Sequence, residues 1–392
     1  MAEKQTRRQF VLRAAGASVL LAGAGDLLAA CGGGDGSSAS SGAAGTTGGF
    51  VEAKPAKLNF VGWQGYDAKP AKNYPYINGW MAQQQITLTS TYTQVNEEML
   101  TKIQASPAGT YDITSPYHGT VPTMIDLGVL EPIQTDRMRN YASIYPSIRN
   151  LDYSRGQDGQ VYAVPLDFSY SVGLYNADSV DPLQKFADVI TDSTLKGRYV
   201  LIDAPEHFTW IAQYLGLGNP DPHHLTQDEL KQCQATARTV VANAKATPGS
   251  FGDILQLMLT HEADWSLSGN PSDEQSAQQK GVNIKAFLPT EGAQAYVDNY
   301  CIPKDSGNYD SALAWIDTVL SPKGNAEIQG AFGTGAVNPK SVPLLDENLR
   351  TLYPYDDITS AFDNAPVWPP IPAKGDQYAT YADWTKAWSE VK

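Results

Sequence analysis

The sequence predicts an α/β protein built from two lobes. Three observations carry that prediction. Strand-like and helix-like segments alternate as β-α-β-α-β-α over the first part of the body, the order of a parallel sheet covered by helices. From about residue 56 to residue 392 there is enough chain for two globular lobes. Aromatic residues stand in the loops after the strands, where open α/β sheets hold ligands.

The chain opens with Thr6-Arg7-Arg8-Gln9-Phe10-Val11-Leu12, then a small apolar run, then Leu28-Ala29-Ala30-Cys31. A charged start, a modest apolar stretch and small residues at its end make an export signal, removed before folding. The arginine pair resembles a twin-arginine signal. Leu-Ala-Ala-Cys resembles a bacterial lipobox, in which Cys31 becomes the lipidated first residue. Residues 31–55 then read as a flexible tether rich in Gly, Ser, Ala and Thr. A lipid on Cys31 implies a protein held at a membrane surface, in the periplasm or on the cell surface.

The body begins with a strand at Lys57-Leu58-Asn59-Phe60-Val61-Gly62-Trp63, and Trp63 and Tyr66 share the loop after it. Tyr76 to Gln84 reads as a short helix and Ile86-Thr87-Leu88-Thr89 as the second strand. Val95 to Ile103 is an amphipathic helix with Asn96 as its N-cap and acids in the first turn. Tyr111-Asp112-Ile113-Thr114 is the third strand and leads to Tyr117. Val161 to Leu166 reads as a strand crossing into the second lobe. Tyr199 to Ile202 is a further strand. It ends at Asp203-Ala204-Pro205-Glu206, where Asp203 reads as a helix N-cap with a helix to Leu215. Gln227 to Ala246 is a longer polar helix, and Tyr309 to Leu320 an amphipathic one.

Ala295 to Pro303 is an extended segment closed by proline. Side chains alternate along a strand, so Tyr296, Asp298 and Tyr300 share a face. A carboxylate between aromatic rings suits an organic cation; it also suits a strand edge with a local hydrogen bond.

Charge narrows the function classes. A formal net charge of -14 argues against nucleic acid, which needs clustered Lys and Arg. Beyond Cys31, Cys233 and Cys301 form either one disulfide or two buried thiols. Ser193-Thr194-Leu195-Lys196 has the Ser-x-x-Lys spacing without a companion Lys-Thr-Gly. Trp265 stands where a zinc-binding His261-Glu262 motif needs its second histidine. His223-His224 reads as a solvated loop pair. No catalytic residues, cofactor or metal are expected.

In order, these segments resemble the polyamine-binding (spermidine/putrescine) branch of bacterial extracellular solute-binding proteins, the substrate-capturing subunits of ABC importers. The resemblance covers roughly residues 57–345. It rests on the Trp63…Tyr66 loop, Asn96-Glu97-Glu98-Met99-Leu100, Gly128-Val129-Leu130-Glu131-Pro132, Tyr162-Ala163-Val164-Pro165, Asp203-Ala204-Pro205-Glu206, Tyr296-Val297-Asp298-Asn299 and Leu320-Ser321-Pro322-Lys323. It implies a type II periplasmic-binding-protein fold. Residues 56–166 and 298–343 would form one lobe and 167–297 and 344–392 the other, closing on a ligand by hinge motion.

The resemblance also implies a ligand set. Trp63 and Tyr66 match the family's first-loop aromatic pair, Asp203 and Glu206 its acid pair, and Tyr296 and Asp298 its Trp-x-Asp. Tyr117 and Gly119 stand where the family offers Ser and Tyr. A family Trp falls on Leu267 or, shifted, on Trp265, and a late Tyr falls near Thr334. Asp298 and Asp203 would hold amines with Glu206 assisting, while Trp63, Tyr66 and Tyr296 wall the alkyl chain. The implied partners are a small cationic polyamine, a membrane permease and, through Cys31, the membrane, with the protein as a monomer. A sugar, another organic cation or an anion on the same fold is the alternative, and a secreted enzyme the further one.

Overall fold

The computed structural model describes residues 49–391 apart from 94, 292, 360, 361, 363, 364, 373, 374 and 376. The export signal, Cys31 and most of the tether therefore lie outside the described residues. The tether's expected edge at residue 55 is too late. Val51 is buried and its N–H donates to the Arg137 carbonyl at 2.9 Å. Lys54 exchanges two hydrogen bonds with Ser311.

The first sheet follows the sequence order. β1 (Ala56–Gly62) runs parallel to β2 (Ile86–Tyr92) on one side and to β3 (Ile113–Thr114) on the other. Leu58 and Phe60 on the central strand are wholly buried. β2 sits at the edge, with Ile86 and Leu88 inside and Thr87 and Thr89 outside. Helices Pro75–Gln83 and Asn96–Ala105 make the crossovers. Asn96 is not the N-cap of its helix; Val95 holds that position and makes no side-chain cap bond. The Asn96 carboxamide oxygen instead accepts the Tyr117 N–H at 3.1 Å, tying the helix to the loop after β3.

β4 (Leu130–Glu131) and β5 (Val164–Asn176) follow. β5 is the organising strand and is longer than its sequence reading. Val164, Leu166, Phe168, Tyr170, Val172 and Leu174 recur at every second position and are all buried. Pro165 and Asp167 look like the end of the strand, but they flank a register shift in the pairing and the strand continues through it. β6 (Tyr199–Val200) pairs in parallel with β7 (Trp265–Gly269). β7 and β8 (Ile284–Phe287) pair with the second half of β5, and β9 (Gln294–Tyr300) with the first half. β10 (Ile302–Pro303) returns to β4, and β11 (Gly335–Ala336) lies beside Phe168 and Asp167.

Two large apolar cores result. One gathers Leu58, Phe60, Ile113, Leu166, Phe168 and Trp315. The other gathers Tyr199, Phe208, Cys233, Trp265, Trp384 and Trp388. The C-terminal stretch serves both, since Tyr353 and Ile358 join the first and the helix Tyr381–Ser389 the second. Helix Tyr309–Val319 is buried from Ser311 to Val319 rather than amphipathic. Its polar residues are satisfied by the loops that cover it: Ser311 by Lys54, and Asp317 by the Asn140 N–H at 2.8 Å. Cys233 and Cys301 are both buried free thiols, which settles the disulfide question.

Candidate functional site

Asp298 meets two residues that lie far from it in sequence. The Tyr66 hydroxyl is 2.7 Å from Asp298 Oδ2 and 2.8 Å from Asp167 Oδ2. β5 and β9 bring the two acids together, because Asp167 stands opposite Asp298 in their pairing. Tyr66 arrives from the loop after β1, where Gly65 takes a positive φ of 98° that glycine adopts without strain. Its ring packs on Phe332, with centroids 4.4 Å apart, and Tyr300 donates its hydroxyl to the Tyr66 carbonyl. Thr334 donates to the same Asp167 oxygen at 3.0 Å.

The electrostatics of this group are unusual. Asp167 is wholly buried and Asp298 is 9% exposed. Burial pushes the Asp167 carboxyl up to about 6, against hydrogen bonds from Tyr66 and Thr334 that favour its ionised form. Burial and then the Asp167 charge hold Asp298 well above the ordinary carboxylate range. Among the described residues, no lysine or arginine figures in the charges acting on either acid.

Tyr296 and Tyr117 flank the pair. Tyr296 is half-buried and donates its hydroxyl to Asn270 Oδ1 at 3.0 Å. Tyr117 is bridged to Asp298 through the backbone. Its phenol is raised first by burial, then by Glu206 and by Asp298, so the charges of both acidic groups reach it. A Cβ at Gly119 would come within 2.2 Å of the Tyr117 ring, so glycine there leaves the ring its place. The His118 ring lies tilted beside it, with centroids 4.2 Å apart, and is a neutral histidine, lowered by burial to about 3. Its Nδ1 accepts the Val297 N–H while Nε2 faces the Trp368 carbonyl.

Asp203 and Glu206 lie under the C-terminal helix. Trp388 donates its indole N–H to Asp203 Oδ1 at 2.8 Å, and Tyr381 its hydroxyl to Glu206 Oε1 at 3.0 Å. Asp203 is not the N-cap of the following helix. That helix spans His207–Leu215, with Glu206 in the cap position and no side-chain cap bond. Burial raises the Glu206 carboxyl, and Glu97 adds to the shift from the helix Asn96–Ala105.

Not all expected residues gather here. Trp63 is half-buried against the first core, and its N–H donates to Ser115 Oγ. Tyr66 does more than wall an alkyl chain, because its hydroxyl joins the two acids. Trp265 and Leu267 both belong to the second core. The Trp265 indole donates to the Asp181 carbonyl at 2.9 Å, and the Arg198 guanidinium lies 4.8 Å from its ring centroid. The structure therefore does not join Trp265 to the Asp298 group. Asp167 escaped the sequence reading, although an acid at an alternate position of an apolar run was there as a signal.

Known proteins share this architecture. A profile for bacterial extracellular solute-binding proteins matches residues 81–350. The chain is 25% identical over 313 residues to a putrescine/cadaverine-binding protein of Pseudomonas aeruginosa, covering 76% of this chain and 83% of that one. It is 27% identical over 275 residues to the spermidine/putrescine-binding periplasmic protein of Escherichia coli, covering 68% and 75%. The spermidine/putrescine ABC transporter substrate-binding protein PotD of Streptococcus pneumoniae superposes with a TM-score of 0.67 at 20% identity, covering 86% and 97%. That likeness fixes the fold as the type II periplasmic-binding-protein kind. The protein binds a solute and is not an enzyme. With more than half of its length matched, the chain belongs to the bacterial extracellular solute-binding protein family.

Proposed function

We propose that the chain is the substrate-binding lipoprotein of an ABC importer and captures a polyamine of the putrescine or spermidine kind. The observation that carries this is the pair Asp298 and Asp167, which is buried on one phenol hydroxyl with no lysine or arginine of the described residues acting on either acid. A buried carboxylate pair is costly unless a cation joins it. The names of the relatives from Pseudomonas and Escherichia support the same ligand class. Asp298 anchors one amine. Tyr66, Tyr117 and Tyr296 surround the alkyl chain, and Asp203 with Glu206 receives the far end. Residues 56–166 with 298–343 and residues 167–297 with 344–392 act as lobes that close on the ligand and present it to the permease. The Arg7-Arg8 signal directs export by the twin-arginine route, and a lipid on Cys31 holds a monomer at the membrane surface.

A cation with a single amino group is the second reading. It is favoured by Asp203 and Glu206 already accepting from Trp388 and Tyr381. A thermal-shift screen decides. Putrescine, cadaverine, spermidine and agmatine are expected to raise the melting temperature. At a hundredfold excess over Kd the gain is about 2.7 kcal/mol, a shift of a few degrees. Sugars and dicarboxylates leave the temperature unchanged. Stabilisation by a neutral sugar and by no amine would overturn the amine reading; stabilisation by monoamines alone would select the second.

A further inference from the structure

We propose that Asp167 is a second ligand carboxylate, and that the site exchanges a carboxyl proton for the ligand's ammonium. This rests on the amine reading above and adds the chemistry of its anchor. The Tyr66 oxygen lies at hydrogen-bonding distance from two carboxylate oxygens, 2.8 Å from Asp167 and 2.7 Å from Asp298. A phenol has one hydrogen and serves one of those contacts at a time. The other contact needs a hydrogen of its own, and only a carboxyl can carry it. The empty site therefore holds one proton across the two acids and a single negative charge.

The second observation is the free oxygen of Asp167. Oδ2 lies within hydrogen-bond reach of the Tyr66 hydroxyl and of the Thr334 hydroxyl, which also faces Gln329, while among the described residues Oδ1 is buried with no hydrogen-bond partner. The Asp298 amide favours the ionised carboxyl from nearby but does not reach Oδ1 in hydrogen-bond geometry. A buried unsatisfied acceptor is destabilising until a donor arrives. A primary ammonium brings three donors, one each for Asp298, Asp167 Oδ1 and the phenol oxygen. A cation at that distance favours the ionised acids, so the shared proton leaves. The site with one proton plus R–NH3+ gives the site with R–NH3+ and no shared proton, plus one H+ released to solvent.

Among the described residues, the phenols and the histidine around the pair are not proton donors in the neutral range, and Glu206, whose carboxyl is raised by burial, acts on Tyr117 rather than on either acid. Tyr117, Tyr153, Tyr296 and Tyr300 face the pair from their own elements, as do Tyr353 and Tyr355 from the C-terminal stretch. All six are phenols raised above their ordinary value by burial. His118 nearby is neutral. Both acids are shifted upward, Asp167 to about 6. The ligand amine stays charged up to about pH 10. Affinity is therefore expected to fall by up to about tenfold per pH unit as the pH drops below the pair's upper pKa, and to level off above it.

The test is calorimetry with putrescine on the full chain at about pH 7, above the range where Asp167 titrates, in phosphate and in ACES, whose ionisation heats differ. The expected result is release of about one proton per putrescine bound. Asp167→Asn is expected to bind putrescine more weakly and to release close to none, since the amide supplies the missing hydrogen. Equal heats in both buffers for the wild-type chain, or equal release by Asp167→Asn, would overturn the exchange while leaving the amine reading intact. No putrescine binding would sink both. A carbon-13 NMR titration of the aspartate carboxyls in the empty protein adds a readout that needs no ligand. Two fully ionised acids at about pH 6 would overturn the exchange without touching the amine reading.

Discussion

Asp298→Asn is expected to weaken putrescine binding by about 30- to 4,000-fold, the equivalent of about 2–5 kcal/mol for truncating one side of a buried charge pair. The change keeps the shape of the side chain and leaves Tyr66 a partner, since an amide can either donate to or accept from the phenol. It also removes an acid whose ionisation is opposed by burial and by the Asp167 charge. The melting temperature of the empty protein is accordingly expected to hold or rise, which separates lost binding from lost folding. Calorimetric titration of both proteins measures the first and a thermal scan the second. Wild-type affinity in the variant would remove Asp298 from the ligand set.

Trp384→Ala is expected to damage the fold severely, at about 3–5 kcal/mol. Trp384 is wholly buried in the second core. It lies edge-on to Phe208 and to His223, with centroids 5.7 and 5.8 Å apart. Its helix is held at the start by a capping box between Thr380 and Asp383. The same helix carries Tyr381 and Trp388, which hold Glu206 and Asp203. Loosening it is expected to weaken ligand binding as well as stability, and spermidine more than a short monoamine. Denaturant titration reads the stability. A loss below about 1 kcal/mol would show that the C-terminal helix is peripheral to the core.

The parts legible in the sequence were those set by local periodicity. β1 and β2 expose one face or one edge, so their alternation survives in the sequence, and the helices between them carry apolar stripes. Periodicity alone placed Tyr296, Asp298 and Tyr300 on one face and left Asp298 open between a local hydrogen bond and a cation; its role as an amine anchor came from the family resemblance. The parts that were not legible depend on contacts through space. Asp167 follows Leu166 in a run that Pro165 would be expected to end, yet β5 continues because distant strands pair along its edges through and beyond that point. Nothing local shows that Tyr66, 101 residues earlier, supplies its hydroxyl. The partner Asp298 is 232 residues from that same tyrosine.

Capping gave a different kind of error. Asn96 and Asp203 have the side chains that helix starts prefer, but each is used elsewhere. Asn96 accepts from the loop after β3, and Asp203 from an indole 185 residues away. Propensity describes what a residue does without competing partners, and both positions have one. Trp265 shows the same limit for a site residue. Its place in the chain suggested a ligand wall, but β7 turns its ring into a core with Leu267.

The decisive experiment is a crystal structure of the chain with putrescine. An ammonium nitrogen is expected at about 3 Å from an Asp298 oxygen and from Asp167 Oδ1, with the alkyl chain running past Tyr296 and Tyr117. Putrescine bound elsewhere, with the Tyr66 hydroxyl still the only partner shared by the two acids, would refute the assignment of these acids as the amine anchor.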